Sequence, residues 1–341
     1  MADHVSVALV GASGYTGAEA LRLIRQHPHV HLALLCAGRQ AGKALSEVMP
    51  AFHGVQMPDL VPFDADQVAS EADFAILAVP HGTAQEAARA LLDRGVRVID
   101  LSADHRFSDA DLFAEVYGPH AHPESLAQTV YGVPELNRDA IATAELVGCA
   151  GCYPTSVILG AMPAVRAGLL SAGAQIIADC KSGVTGAGRN PTANTHFPET
   201  SEGIKAYKTL SHRHAPEMGM ILGHTVRFVP HLVPMSRGIL STLYLPLQDG
   251  ISEEQIRAIY DEAYGDEPFV TVLPEGHHPE TRHVRGSNRC HIGLFPQGDL
   301  LVVQSVIDNL VKGAAGQGLQ CLNLMAGRPE TEGLEHTALF P

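Results

Sequence analysis

Cys152 is the residue whose setting points most directly to chemistry. It stands in Gly151-Cys152-Tyr153-Pro154-Thr155. Pro154 suits the first turn of a helix, where its missing N–H costs nothing. Cys152 then lies at a helix N-terminus, and the positive end of the helix dipole favours a thiolate there. A thiolate attacks carbonyl carbon. Two other readings stand beside this one. Most cysteines are small buried hydrophobes, as the apolar or strand-like settings of Cys36, Cys180, Cys290 and Cys321 suggest. Cys149 and Cys152 also form a Cys-x-x-Cys, which suits a redox dithiol or half a metal site. No second cysteine pair follows, so a four-thiolate zinc site fails and no metal is expected.

A thiolate enzyme needs an acid/base that titrates near neutrality, which histidine supplies. Ser211-His212-Arg213-His214-Ala215-Pro216-Glu217 offers two. In an extended segment, His212 and His214 would share a side. Glu217 could orient an imidazole. No third ligand follows at a spacing usual for a metal.

Two glycine-rich loops could hold anions. Gly11-Ala12-Ser13-Gly14-Tyr15-Thr16-Gly17 follows a strand pattern and opens a helix. Glycine lets the backbone approach a pyrophosphate, and the helix start offers free N–H groups. The spacing is Gly-x-x-Gly-x-x-Gly rather than the usual dinucleotide fingerprint, and a tight turn without a ligand is the competing reading. After the second strand the chain reads Cys36-Ala37-Gly38-Arg39-Gln40, with no acid to bind a ribose hydroxyl. Arg39 and Lys43 would welcome a 2′-phosphate instead, so NADP(H) is the expected cofactor, unless Arg39 is an ordinary surface charge. The second loop, Lys181 to Arg189, can wrap a ligand and donate backbone N–H groups. Arg106 and Arg189 could each clamp a carboxylate or phosphate, or be plain surface charges.

Elements must position these groups. Short apolar runs at 5–10, 30–36, 74–79 and 96–101 read as strands. Helical patterns lie between them, one at 83–94 with Ala84, Ala87, Ala88 and Leu91 on one face. Strand–helix alternation implies βαβ units and a parallel sheet. The first domain is placed at 1–150. Beyond it come a helix at 154–167, a strand at 175–180 and a polar loop from 181 to about 200. Strands follow at 225–229, 239–247, 269–273, 289–295 and 300–307. Ser252, with Gln255 three residues on, caps a helix to 264. Long strands with few helices suggest a largely antiparallel sheet in a second domain at 151–308. A last helix, 309–327, has Asn309 as its expected N-cap and presents Val311, Ala314, Leu319, Leu322 and Met325 on one face. The fold class is therefore α/β, a dinucleotide-binding domain followed by an α+β domain.

Composition narrows the partners. The 341 residues, at about 150 per domain, suit two domains. With 23 Lys and Arg against 37 Asp and Glu, the formal net charge is −14, a poor match for a phosphate backbone, so nucleic acid is not expected. No apolar run reaches the roughly 18 residues of a membrane span. The first residues lack the pattern of a secretory signal. Six cysteines are too sparse for a disulfide scaffold and suit a reducing compartment, so a cytoplasmic enzyme is expected.

The motifs occur in a telling order: Gly11 to Gly17, Pro134-Glu135-Leu136-Asn137-Arg138, Gly151 to Thr155, Lys181 to Arg189 and His212 to Glu217. Together they closely resemble the long-form N-acetyl-γ-glutamyl-phosphate reductases of arginine biosynthesis, relatives of aspartate-semialdehyde dehydrogenase. The resemblance runs from residue 5 to about residue 327. It implies a Rossmann domain completed by the C-terminal helix, a mixed-sheet catalytic domain with a role in oligomerisation, and a homo-oligomer, dimer or tetramer. It implies that Cys152 attacks N-acetyl-glutamyl 5-phosphate, expels phosphate and forms a thioester that NADPH reduces to the 5-semialdehyde. His214 is the expected acid/base and His212 the second choice. Ser13, Gly14, Tyr15, Thr16, Gly17, Ser182, Gly183 and Asn309 fall near the cofactor, with Arg106 and Glu217 as substrate ligands. Related reductases of aspartyl phosphate or of a carrier-linked aminoadipyl phosphate remain alternatives, as does a non-catalytic NADPH-binding sensor built on Cys149 and Cys152.

Overall fold

Val5–Val10 and Phe74–Leu77 are apolar at almost every position, the pattern of strands covered on both faces. In the computed structural model, which describes residues 4–339, they lie side by side in an all-parallel seven-stranded sheet. Its order is Leu60–Val61, Val30–Cys36, Val5–Val10, Phe74–Leu77, Arg97–Asp100, Leu146–Cys149, Val130–Gly132. The order changes direction between Val5–Val10 and Phe74–Leu77, and ligands of such sheets bind at the carboxyl ends of the strands flanking that switch. Ala8, Val10, Leu34 and Leu77 pack with Val68, Ala84, Ala88 and Leu91 of two helices, Ala65–Glu71 and Ala84–Leu92.

By internal contacts the chain forms two compact units. The first comprises the residues up to Ala150 together with Ala314–Glu335; the second comprises Gly151–Gly313 and the residues from His336 on. The first unit thus takes back a helix, Gly316–Met325, buried on nearly every side. A Cβ on Gly318 would stand 2.7 Å from Leu101 Cδ2, so glycine lets this helix approach closely. The expected single helix from Asn309 is not what forms. The chain makes a π-helical turn, Val311–Ala315, before the α-helix. Asp308, not Asn309, caps it: Oδ1 accepts from the N–H groups of Leu310 and Val311 at 2.8 and 3.3 Å. The Asn309 amide is engaged elsewhere, with Gly238 and Thr185.

The second unit holds a mixed seven-stranded sheet in the order Val270–Val272, Cys290–Gln297, Leu300–Ile307, Ile239–Pro246, Ile176–Ser182, Val226–Leu232, Lys205–Ala206. Four of its six pairings are antiparallel. Ile239–Pro246 alternates buried and half-buried residues, so one face is covered. The Cys152–Arg166 and His214–Leu222 helices lie against this sheet. The other face carries Ile177, 44% exposed, with half-buried Tyr244 and Val302.

Pro163 sits inside the Cys152–Arg166 helix. It has no N–H for the Leu159 carbonyl, an acceptor that would otherwise be lost in a buried place. The Tyr264 hydroxyl donates to that carbonyl at 2.5 Å, and the Tyr260 hydroxyl donates to the Gly160 carbonyl at 2.7 Å. Both tyrosines come from the Glu253–Tyr264 helix, so the proline break ties two helices together. Tyr264→Phe is expected to cost about 1–3 kcal/mol by leaving the Leu159 oxygen unpaired; equilibrium urea unfolding measures this.

Candidate active site

Gly151 has extended backbone angles (φ −62°, ψ 155°) and is the N-cap of the Cys152–Arg166 helix. Its carbonyl accepts from the Thr155 N–H at 2.8 Å and the Thr155 hydroxyl at 3.0 Å. Its own N–H donates to Glu217 Oε1 at 2.9 Å. Cys152 is the first helical residue and is partly exposed, unlike the other five cysteines, which are buried. The sulfur therefore projects from a helix start where backbone N–H groups lack intrahelical acceptors. Glu217 is itself fully buried in the first turn of the His214–Leu222 helix. Glu217 was expected as a substrate ligand; in the folded chain its carboxylate has no exposed surface, and one oxygen holds the cap of the Cys152 helix.

The two histidines come together, though not through an extended segment. His214 begins a helix, and the His214 N–H donates to Nδ1 of His212 at 3.1 Å, folding the turn back on itself. The rings stand 4.6 Å apart, each centroid 6.1 Å from the Tyr153 ring. Tyr207 and Phe228 complete the enclosure of His212 at 5.7 and 5.3 Å. Burial, and then the charges of Arg213 and Lys208, push the His212 imidazole down to about 4. With Nδ1 accepting a hydrogen bond, the His212 proton sits on Nε2. Tyr153, next to Cys152, donates its hydroxyl to the His231 carbonyl at 3.1 Å.

In the first unit, Gly11 has φ +92°, and a Cβ there would collide with the Ala78 carbonyl oxygen. A Cβ on Gly17 would come within 2.5 Å of the Gly11 oxygen and 2.9 Å of Ala12 Cα. These two glycines let the Tyr15–Ile24 helix start directly on the turn. The Gly11 and Ala12 N–H groups donate to the Cys36 carbonyl at 2.9 and 3.3 Å, which ties the turn to the end of the second strand. Ser13, Gly14, Tyr15 and Thr16 reach the surface, and Arg39 is exposed three residues beyond Cys36. An open helix start beside the sheet's switch point, with a cation just past the second strand, fits the pyrophosphate and 2′-phosphate of a dinucleotide.

The second glycine loop differs from its expected use. The N–H groups of Gly183, Val184 and Thr185 donate to the carbonyls of Gly238, Met235 and Ser236 at 2.9, 2.9 and 3.1 Å. They are therefore committed within the protein rather than offered to a ligand. A Cβ on Gly183 would stand 2.7 Å from the Ser236 oxygen, the close approach that glycine allows there. Ser182 is buried and donates to the Gly183 carbonyl at 3.0 Å. Asn309 joins the group, its Oδ1 accepting from Gly238 N–H at 2.8 Å and its Nδ2 donating to Thr185 Oγ1 at 3.0 Å. Ser182, Gly183 and Asn309 are thus one packed cluster. Arg189 is exposed at the loop's end. Arg106, in the first unit, is buried; its Nε donates to the Cys149 carbonyl at 2.9 Å and its Nη2 to the Leu101 carbonyl at 3.1 Å. It joins the carboxyl ends of two strands before any substrate is present. Cys149 is buried at the end of its strand.

One pair escapes a reading of the sequence. His81 follows the Phe74–Leu77 strand, and its Nδ1 lies 2.5 Å from Oδ1 of Asp104. Asp104 is fully buried and also accepts from the N–H groups of Gly82 and Ala84. Val79-Pro80-His81-Gly82 after an apolar strand was the available signal, but its importance depends on the sheet order. No group of three or more possible metal ligands occurs among the described residues. No helix among them is long and apolar enough to cross a membrane.

A partly exposed cysteine at a helix start, a histidine pair packed on the neighbouring Tyr153 ring and a separate dinucleotide-type turn are the parts an acyl-transferring dehydrogenase needs. Comparison with known proteins agrees. Residues 6–144 match the semialdehyde dehydrogenase NAD-binding domain and residues 152–309 the semialdehyde dehydrogenase dimerisation domain. Aspartate-semialdehyde dehydrogenase II from Vibrio cholerae, solved with ASA, has the same fold, with a TM-score of 0.72 over 95% of this chain and 98% of that one at 18% identity. The Candida albicans aspartate-semialdehyde dehydrogenase, solved with NADP, has a TM-score of 0.71 at 14% identity, covering 95% and 98%. The chain is 48% identical to N-acetyl-gamma-glutamyl-phosphate reductase of Ectopseudomonas mendocina, over 99% of this chain and 100% of that protein. It is 47% identical to the enzyme of that name from Halorhodospira halophila, with the same coverage. The chain therefore belongs to the N-acetyl-gamma-glutamyl-phosphate reductase family.

The lowered His212 proton affinity gives a direct test of this geometry. The unfolded imidazole takes a proton near pH 6.5 and the folded one near 4. The neutral ring thus contributes stability that is complete above pH 6.5 and lost as pH falls toward 4. It amounts to at most about 3 kcal/mol. In urea titrations across that window, His212→Asn is expected to lose less stability per pH unit than the unaltered chain; equal slopes would place the ring in water.

Proposed function

We propose that the chain reduces N-acetyl-glutamyl 5-phosphate to N-acetyl-glutamate 5-semialdehyde and phosphate, with NADPH as reductant, as a step of arginine biosynthesis in the cytoplasm. The observation that carries this reading is the helix start at Cys152, with its cap held by Glu217 and the paired histidines against Tyr153. The name and full-length similarity of the relatives supply the substrate.

The Cys152 thiolate attacks the acyl carbon of the phosphate anhydride. The carbon–oxygen bond to phosphate breaks, phosphate leaves with its electron pair, and a thioester remains on Cys152. A dinucleotide held at Gly11 to Gly17 would supply the hydride that reduces the thioester carbon. His214 protonates the tetrahedral alkoxide to give the thiohemiacetal, then takes the proton back as the carbon–sulfur bond breaks and the thiolate returns. The choice of His214 over His212 rests on the state of His212, whose Nδ1 is taken by a backbone N–H and whose ring is held neutral by burial. The first-turn N–H groups of the Cys152 helix stabilise the oxyanion in this reading.

Gly11 to Gly17 form the pyrophosphate seat and Arg39 the partner of the 2′-phosphate. Ser182, Gly183 and Asn309 bear on the cofactor through the shape of their cluster. Arg106 and Arg189 are the substrate cations. The open face of the second sheet, with Ile177, Tyr244 and Val302, supports self-association into a homo-oligomer, in keeping with the dimerisation-domain match.

The deciding assay runs the reaction backward: NADP+ reduction by N-acetyl-glutamate semialdehyde, with and without phosphate, beside aspartate semialdehyde. Phosphate-dependent turnover of the acetylated substrate is expected, and Cys152→Ser is expected to remove about a thousandfold or more of it. Preference for aspartate semialdehyde, or an active Cys152→Ser, overturns the reading. Replacing Arg39 with Ala is expected to weaken NADP+ binding about tenfold, roughly the 1.4 kcal/mol of one charge-assisted contact, and to leave NAD+ binding unchanged, by fluorescence titration.

A further inference from the structure

Gly313 lies against the nucleophile. A Cβ built on it would stand 2.8 Å from Cys152 Cβ and 3.2 Å from Cys152 Cα, with Ile307 Cδ1 at 3.3 Å. The first two of these atoms cannot swing aside, because they are the backbone carbon and first side-chain carbon of a residue fixed in a helix. The chain brings Gly313 there by a π-helical turn, in which the Gly313 N–H donates to the Asp308 carbonyl five residues back at 3.0 Å. Such wide turns are uncommon and concentrate at functional sites.

Asp308 builds the turn. It is fully buried, at the end of the Leu300–Ile307 strand. Its Oδ1 accepts from Leu310 and Val311, which closes the start of the turn. Its Oδ2 accepts from the Gly286 N–H at 2.7 Å and lies 3.5 Å from Arg237 Nη1. One carboxylate thus fastens the turn to two further loops. Lys312, between the turn's start and Gly313, is fully buried with its ammonium 5.7 Å from the Phe269 ring centroid. The turn is held on both sides, so it acts as a rigid stop against Cys152.

We infer that Gly313 and Asp308 are positioning residues for the reductase reaction: the Asp308-capped π-turn presses the bare Cα of Gly313 against Cys152 and sets where the thiolate stands at its helix start. Glu217 fixes the same helix from Gly151, on the preceding residue. The sulfur is thereby located by two independent contacts, one polar and one steric. The inference rests on the reading of Cys152 as nucleophile. A displacement of about 1 Å at a reacting atom is enough to lower turnover about a hundredfold.

The test is Gly313→Ala, with Asp308→Asn as the second variant. In Asp308→Asn the new amide NH2 can face the Gly286 N–H in place of an acceptor. Each is assayed well below its own melting temperature, so that the folded fraction is equal. Both are expected to lower kcat by about tenfold to a hundredfold, with the NADP+ dissociation constant and the semialdehyde KM within about twofold of the unaltered chain. Iodoacetamide alkylation of Cys152, followed against pH without cofactor, is expected to slow and to move its midpoint upward as the sulfur leaves the helix start. Gly318→Ala, whose Cβ would crowd the Leu101 and Ile99 side chains of the first unit and no atom of Cys152, is expected to leave the alkylation profile unchanged. Folded variants with unaltered kcat and alkylation profile overturn the inference. Activity surviving in Cys152→Ser instead overturns the nucleophile reading beneath it, so the two failures are distinguishable.

Discussion

The hydrogen bond from the Gly151 N–H to Glu217 is the contact on which the second unit's chemistry turns. It joins the start of one buried helix to the first turn of another. The bond is shielded from water, and a buried N–H left without this acceptor would cost about 1–3 kcal/mol. It leaves Cys152 as the first residue past a fixed cap. It also places His214, three residues before Glu217, on the same short helix. One interaction therefore sets Cys152 and the histidine pair relative to each other. The proline break at Pro163, closed by two tyrosine hydroxyls, holds the same helix further along its length.

Electrostatics sets a second constraint. A chain with a formal net charge of −14 has to receive a dinucleotide and an acyl phosphate. The summed field opposes both, so local groups must overcome it. Helix starts do so without adding mobile charge: their N–H groups are fixed, and their dipoles point at the anion. The first unit offers such a start at Tyr15 and the second at Cys152. Arg39 remains exposed, whereas Arg106 already spends donors on two strand-end carbonyls. The two arginines are alike in sequence but not in how their donors are used.

Much of the fold was legible because its signals are local. The apolar runs at 5–10 and 30–36 read as strands since each is short and bounded by turn residues. Ser252 caps its helix as its spacing with Gln255 implies, with the Gln255 N–H donating to the Ser252 hydroxyl at 3.2 Å. Where local signals were ambiguous, tertiary contacts chose. The sequence pointed to Asn309 as the cap, and Asp caps as well as Asn does. Asp308 takes the role because Gly238 and Thr185 already hold the Asn309 amide. The Lys181 to Arg189 loop has the composition of a ligand cradle, yet the strand-end segment 235–238 supplies carbonyls that consume its N–H groups.

The sequence by itself determined the chemistry available: a cysteine before a helix-starting proline, two histidines one residue apart, and a glycine turn between strand and helix. These are short-range features, and short-range sterics and dipoles suffice to define them. It determined the family too, because the order of the motifs along the chain is legible without coordinates. Only the tertiary structure decided what each group is used for. Glu217 became the anchor of Gly151, Gly313 the neighbour of Cys152, and Asp308 the centre of three segments. These partners are 66, 161 and up to 71 residues apart in the chain. No local propensity encodes contacts at such separations; burial of the helices against the second sheet brings them together.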